Sequence, residues 1–357
     1  MNGSTNLLIS EFFVLLVIHF LVHFFIILKS QKKQTILKYG LGLVGPLLVF
    51  FHSIYALYLS IQSHVFFTKT LVLGDAEVLG SPRFVVEFHP LSALILLIFS
   101  LLMALFFWEG FRKRIELNLK NQSIGLLAMI GFTVVVYSGS LWTSVAGLGV
   151  VVLSEFLSEL PSSGLSHRYA SFGFVQKWIG LMLLIISGIV FENFGASLVF
   201  SAEDSWYLSP ALEFASYSFL FGFGLLIGCF PFWSLFFTEK DRSFISQWIH
   251  TVIQTTSLLI LFGAITPLLS RVIDLNWIHF VIFSQAVLLF LFGFFQKDPK
   301  RKMVCQSYIG LYLFYELSLN LPLNYTIPFV CISILVYSFR YFHLFYGGEI
   351  LNKKNLW

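Results

Sequence analysis

Pro90-Leu-Ser-Ala-Leu-Ile-Leu-Leu-Ile-Phe-Ser-Leu-Leu-Met-Ala-Leu-Phe-Phe-Trp108 runs from a proline to a tryptophan without a single charged residue. A helix of that length, rising about 1.5 Å per residue, reaches across nearly all of a bilayer's hydrocarbon core of about 30 Å. The rest of the chain is written in the same way. Of its 357 residues 57% are hydrophobic and 11% charged, with a mean hydropathy of +0.85. Soluble domains carry about 25% charged residues, so a chain this poor in charge needs lipid to cover its surface. Soluble enzymes, nucleic-acid binders and secreted disulfide scaffolds are excluded on that ground. The apolar stretches are continuous rather than alternating, which excludes a transmembrane β-barrel. What remains is an all-α polytopic membrane protein.

Apolar runs long enough to span occur at 6–28, 37–61, 90–108, 121–138, 141–158, 172–191, 211–236, 244–268, 276–295, 303–320 and 325–346, predicting about eleven transmembrane helices. Only the turn Ser138-Gly139-Ser140 separates the fourth from the fifth, and Asn320-Leu-Pro-Leu-Asn324 divides the tenth from the eleventh. Basic residues alternate between connections. Lys29, Lys32, Lys33 and Lys38 lie in the first, Arg112, Lys113, Arg114 and Lys120 in the third, Arg168 in the fifth, Lys297, Lys300, Arg301 and Lys302 in the ninth, and Lys353 and Lys354 in the tail. The second and sixth connections lean acidic (Asp75, Glu77, Glu87; Glu192, Glu203, Asp204). Short cytoplasmic loops hold the excess of Lys and Arg, which predicts the N-terminus outside and the C-terminus inside. The +4 net charge is then a matter of topology. No cleavable signal peptide is expected, because no basic residue precedes the first apolar run. Cys229, Cys305 and Cys331 lie far apart in apolar segments and read as small hydrophobes.

Four stretches carry more than composition. Phe84-Val-Val-Glu-Phe-His-Pro-Leu-Ser92 leads straight into the third apolar run. Leu153-Ser-Glu-Phe-Leu-Ser-Glu-Leu-Pro161 closes the fifth, with Glu155 and Glu159 one turn apart. Gly228-Cys-Phe-Pro-Phe-Trp-Ser-Leu-Phe236 lies in the seventh, followed about twenty residues on by Thr251-Val-Ile-Gln254. Asp298-Pro-Lys-Arg-Lys-Met-Val-Cys-Gln-Ser-Tyr-Ile309 opens the tenth. In this order, each in the helix of that number, they resemble the antiporter-like membrane subunits of complex I-type NADH–quinone oxidoreductases, membrane-bound hydrogenases and multisubunit cation/proton antiporters. The chain looks like a divergent, shortened member.

The resemblance implies a proton path inside the bilayer, built in that family from a glutamate on the fifth helix, lysines on the seventh and eighth, and a further lysine or glutamate on a broken twelfth. Such groups are expensive in hydrocarbon and persist where they are paired or hydrated. Carried over residue by residue, the acid is Glu155. The seventh-helix lysine falls on Leu226 and the eighth-helix lysine on Gln254, while His89, Trp233 and Leu235 stand where the family has an acid, a histidine and a tryptophan. On this mapping the acid is kept and the bases are lost. The implied organisation is an N-terminal three-helix region (1–120), an antiporter-like core of helices four to eight with a broken seventh (121–270), and an incomplete second inverted half with a short tail (271–357).

Glu155, His250 and Gln254 are therefore the candidate path residues, with His89, Glu159, Pro231, Trp233 and Glu316 in support. Each also has an ordinary reading. Glu155 and Glu159 can be interfacial carboxylates, and His250 and Gln254, four apart on one face, can be a hydrogen-bonded pair joining helices. His19 and His23 share a helical face without a third ligand, which does not make a metal site. His52 and Glu316 are single polar residues in apolar runs, Arg340 can reach the interface, and Pro231 and Pro267 are the expected kinks. No GxxxxGK[ST], HExxH or GxSxG motif occurs. No bound cofactor or metal is expected, so NADH and quinone, if used, belong to partner subunits. The implied function is ion translocation, or its structural coupling, within a proton-translocating complex in the inner (cytoplasmic) membrane. Its partners would be other membrane subunits and lipid, not nucleic acid. A purely structural subunit and an independent small-solute transporter are the competing readings. The sequence leaves open the electron donor and the choice between H⁺ and Na⁺.

Overall fold

In hydrocarbon every backbone amide must find its partner within the protein, and a helix satisfies this inside one segment. The computed structural model describes residues 12, 14–23, 25, 35–63, 67–72, 83–88, 90–112, 119–159, 165–194, 209–228 and 248–295, with Cys305, Ile309, Tyr312, Leu313, Glu316 and Leu335 beyond them. Helices fill the apolar runs in order: α1 (Val14–His23), α2 (Thr35–Ser63), α3 (Pro90–Arg112), α4 (Leu119–Val136), α5 (Leu141–Glu159), α6 (Leu165–Asn193) and α7 (Pro210–Ile227). Next comes α8, which starts as a π-helical segment (Ile249–Gln254) and continues as α-helix (Thr255–Val272), and then α9 (Asn276–Phe295). Among the described residues six helices are long and apolar enough to cross a membrane, and α1, α2 and α4 contain shorter apolar stretches.

Helix ends differ from expectation where local chemistry overrides apolarity. The seventh run was expected to continue to 236, but α7 stops at Ile227. Gly228 caps it in the left-handed conformation (φ 77°), its N–H bonding to Gly224 O, a geometry that costs glycine nothing. At the other end Ser209 accepts from Leu212 N and Pro210 occupies the first turn. Pro231 and Trp233 lie outside the described residues, as does His89. Pro267, one of the expected kink sites, lies within α8.

The connection between α2 and α3 contains an antiparallel hairpin. β1 (Phe67–Val72) and β2 (Arg83–Phe88) pair with Phe67 opposite Phe88 and Val72 opposite Arg83. β2 then docks on the turn between α4 and α5. Glu87 N donates to Tyr137 O (2.7 Å), Gly139 N to Val85 O (2.9 Å) and Val85 N to Thr143 Oγ1 (2.9 Å). A side chain at Gly139 would meet Glu87 Cγ at 2.4 Å, so the docking depends on that glycine.

Two helix pairs pack backbone to backbone. In α4–α5 a Cβ on Gly131 would lie 2.8 Å from Gly147 O, and in α6–α7 a Cβ on Gly180 would lie 2.8 Å from Gly222 O. Small residues at such crossings replace the hydrophobic drive that lipid cannot supply. α8 fills the space between the pairs, with Phe262 stacked on Phe223 of α7 (4.6 Å between centroids) and Trp248 on Phe99 of α3 (5.3 Å). The outer face of α9 presents Phe280, Phe283, Phe290 and Phe294.

Candidate functional site

The π-helical opening of α8 widens one turn, and such widened turns recur at functional sites. It carries His250 and Gln254 on one face, and both side chains point at Lys177 in the middle third of α6. Lys177 Nζ lies 2.9 Å from His250 Nδ1 and donates to Gln254 Oε1 at 2.8 Å. It also forms a salt bridge with Glu155 Oε2, one turn before the end of α5. The side chains of Lys177 and Glu155 are only 3% and 4% exposed. His250 Nδ1 is also 3.2 Å from Glu155 Oε1 and 3.1 Å from Gln254 Oε1.

An ammonium group has three N–H donors and no acceptor. Here it meets three acceptors: a carboxylate oxygen, an amide oxygen and an imidazole nitrogen. With His250 protonated on Nε2, every donor of Lys177 is used, which is the condition for keeping a charge pair in a dry interior. One imidazole nitrogen touches both the amine and the carboxylate. That gives a proton a route between the two charged groups with no helix displaced.

The fourth element of the site is the open end of α7. The last carbonyls of any helix lack intrahelical donors. Leu226 O accepts from Gln254 Nε2 (3.0 Å) and Leu225 O from Gln176 Nε2 (2.9 Å). Gln254 therefore bridges Lys177 through its oxygen to the end of α7 through its nitrogen. The seventh- and eighth-helix positions carry no lysine, as the mapping had it, and the amine of the cluster comes from α6 instead. At the position where the seventh-helix lysine falls, Leu226 offers its backbone carbonyl instead.

Of the candidate residues, the structure brings Glu155, His250 and Gln254 together. Glu316 is elsewhere, its Oε1 2.5 Å from His279 Nδ1 of α9. Glu159 closes α5, and its side chain lies outside the described residues, as do His89, Pro231 and Trp233. His23 Nδ1 is 2.9 Å from Ser123 Oγ, and His52 stacks on Phe12 (3.6 Å between centroids). Lys177 is the residue that sequence reasoning missed. Its signal was present, since it is the single charge within the apolar run 172–191, and an intramembrane ionisable residue marks a site by default.

No protein-family model and no curated protein sequence matches the chain. Two of the solved structures that share its architecture show the degree of likeness. One is described as the membrane-bound sulfane sulfur reductase, an archaeal respiratory membrane complex; its matched chain superposes with a TM-score of 0.67 at 15% identity, over 86% of this chain and 64% of that one. The other is the Mrp complex from Dietzia sp. DQ12-45-1b, with a TM-score of 0.71 at 12% identity, over 92% of this chain and 62% of that one. The chain thus spans less than two-thirds of the length of either. At these identities the likeness is one of fold, shared with chains of an archaeal respiratory membrane complex and of an Mrp complex.

Proposed function

We propose that this chain is an ion-translocating membrane subunit of a respiratory or antiporter-type complex, and that Glu155, Lys177, His250 and Gln254 carry the ion through it. The observation behind this reading is the buried Glu155–Lys177 pair, bridged by one histidine and tied by Gln254 to the open end of α7. A charged pair inside an apolar bundle contributes less stability than apolar packing of the same volume, so its presence calls for a use. Proton transfer is such a use, because each group's charge sets the other's affinity for a proton. In this reading the complex is of the NADH–quinone oxidoreductase or cation/proton antiporter kind, sits in the inner (cytoplasmic) membrane and surrounds the chain with similar subunits. NADH and quinone, where used, are bound by those partners.

The test is proton uptake by vesicles containing the purified complex. E155Q, which keeps the side chain's size, and K177Q, which puts a neutral amide in place of the ammonium, lower uptake more than tenfold while the complex still assembles. Uptake at the wild-type rate in both variants would leave the chain a structural subunit.

A further inference from the structure

We propose that the Lys177 ammonium is a tethered cation that occupies an alkali-cation site, so that the cluster handles protons and excludes sodium. This rests on the reading above and names its ion. Two of the three acceptors around Nζ are oxygens of the kind a small hard cation would use, and the third is His250 Nδ1. Glu155 supplies a carboxylate, with Oε2 bonded to Nζ and Oε1 turned to His250, and Gln254 supplies an amide oxygen at 2.8 Å. Hard cations are held by carboxylate and carbonyl oxygens in this way. Gln254 is fixed from behind, its Nε2 donating to Leu226 O at 3.0 Å. The site also balances a charge of one. Glu155 is the negative group and Lys177 the positive one, both inside the bundle. A sodium ion entering beside the ammonium would add an uncompensated charge to a dry site, and it would find Glu155 Oε2 and Gln254 Oε1 already bonded to the amine. A proton moving within the cluster changes no occupancy, because it travels on atoms already in contact.

Removal of the amine therefore exposes the cation site. K177A leaves the Glu155 carboxylate and the Gln254 oxygen facing a space the size of the lost side chain. Purified K177A is expected to show a rise of a few degrees in its unfolding midpoint when sodium replaces choline at constant ionic strength. The E155Q/K177A double variant shows no such rise, and in wild-type complex the rate of proton uptake is the same in both salts. The proposal is overturned if wild-type uptake requires sodium, or if K177A and K177G each unfold at the same temperature in the two salts. Should neither variant fold, the salt dependence of the wild type still decides. The stability measurement involves no transport, so it is read separately from the E155Q and K177Q uptake experiment.

Discussion

Removing the amine of Lys177 while keeping Glu155 strands a carboxylate among apolar helices, and breaking a buried pair from one side costs about 3–5 kcal/mol. K177M should lower unfolding stability by about that amount, measured in detergent micelles. The E155Q/K177M double variant should recover much of the loss, because the charge that had lost its partner is gone. A double variant no more stable than K177M would show that the pair is not coupled. Glu155, His250 and Gln254 were legible in the sequence: one sits in a recognisable stretch, and the other two share a helical face. Lys177 was harder to read because its meaning is spatial. Nothing in its own neighbourhood announces that α5 and α8 bring three acceptors to it, and the family pattern directed attention to Leu226 and Gln254.

Apolar run length located the helices well and their ends poorly. Hydropathy is blind to the left-handed cap at Gly228 and to the widened turn at Ile249–Gln254, both of which are decisions of backbone geometry. It also cannot show which glycines matter. A Cβ at Gly222 would stand 2.7 Å from Gly180 O, whereas one at Gly149 meets nothing within 4 Å. G222A should therefore destabilise by about 1–3 kcal/mol through overpacking, while G149A should be neutral or stabilise by up to about 1 kcal/mol through helix propensity. Thermal unfolding of the two variants in parallel checks the contrast. Apolar run length also gives no sign of the β1–β2 hairpin. Its docking depends on Thr143, which accepts from Val85 N and donates to Val85 O, each at 2.9 Å. T143V removes both bonds and should speed amide exchange at Val85 by roughly tenfold, for a loss of about 1–1.5 kcal/mol.

For the whole molecule, charge distribution predicts an orientation that labelling can test. In a background lacking Cys229, Cys305 and Cys331, K113C is expected to react with a membrane-impermeant maleimide only after the cytoplasmic face is opened, and S201C to react in intact cells. The reverse pattern would invert the topology. The sequence yielded the class of protein and the order of its helices because lipid imposes so strict a rule on apolar runs. It did not yield how the helices group, and that grouping sets the mechanics. Close glycine crossings join α4 to α5 as one board and α6 to α7 as another. Glu155 belongs to the first board and Lys177 to the second. Prising the boards apart disturbs no packing within either but must undo the clasp between acid and amine. A carboxylic acid holds an ammonium less tightly than a carboxylate does, so one part of the work of separating the boards depends on where a single proton resides.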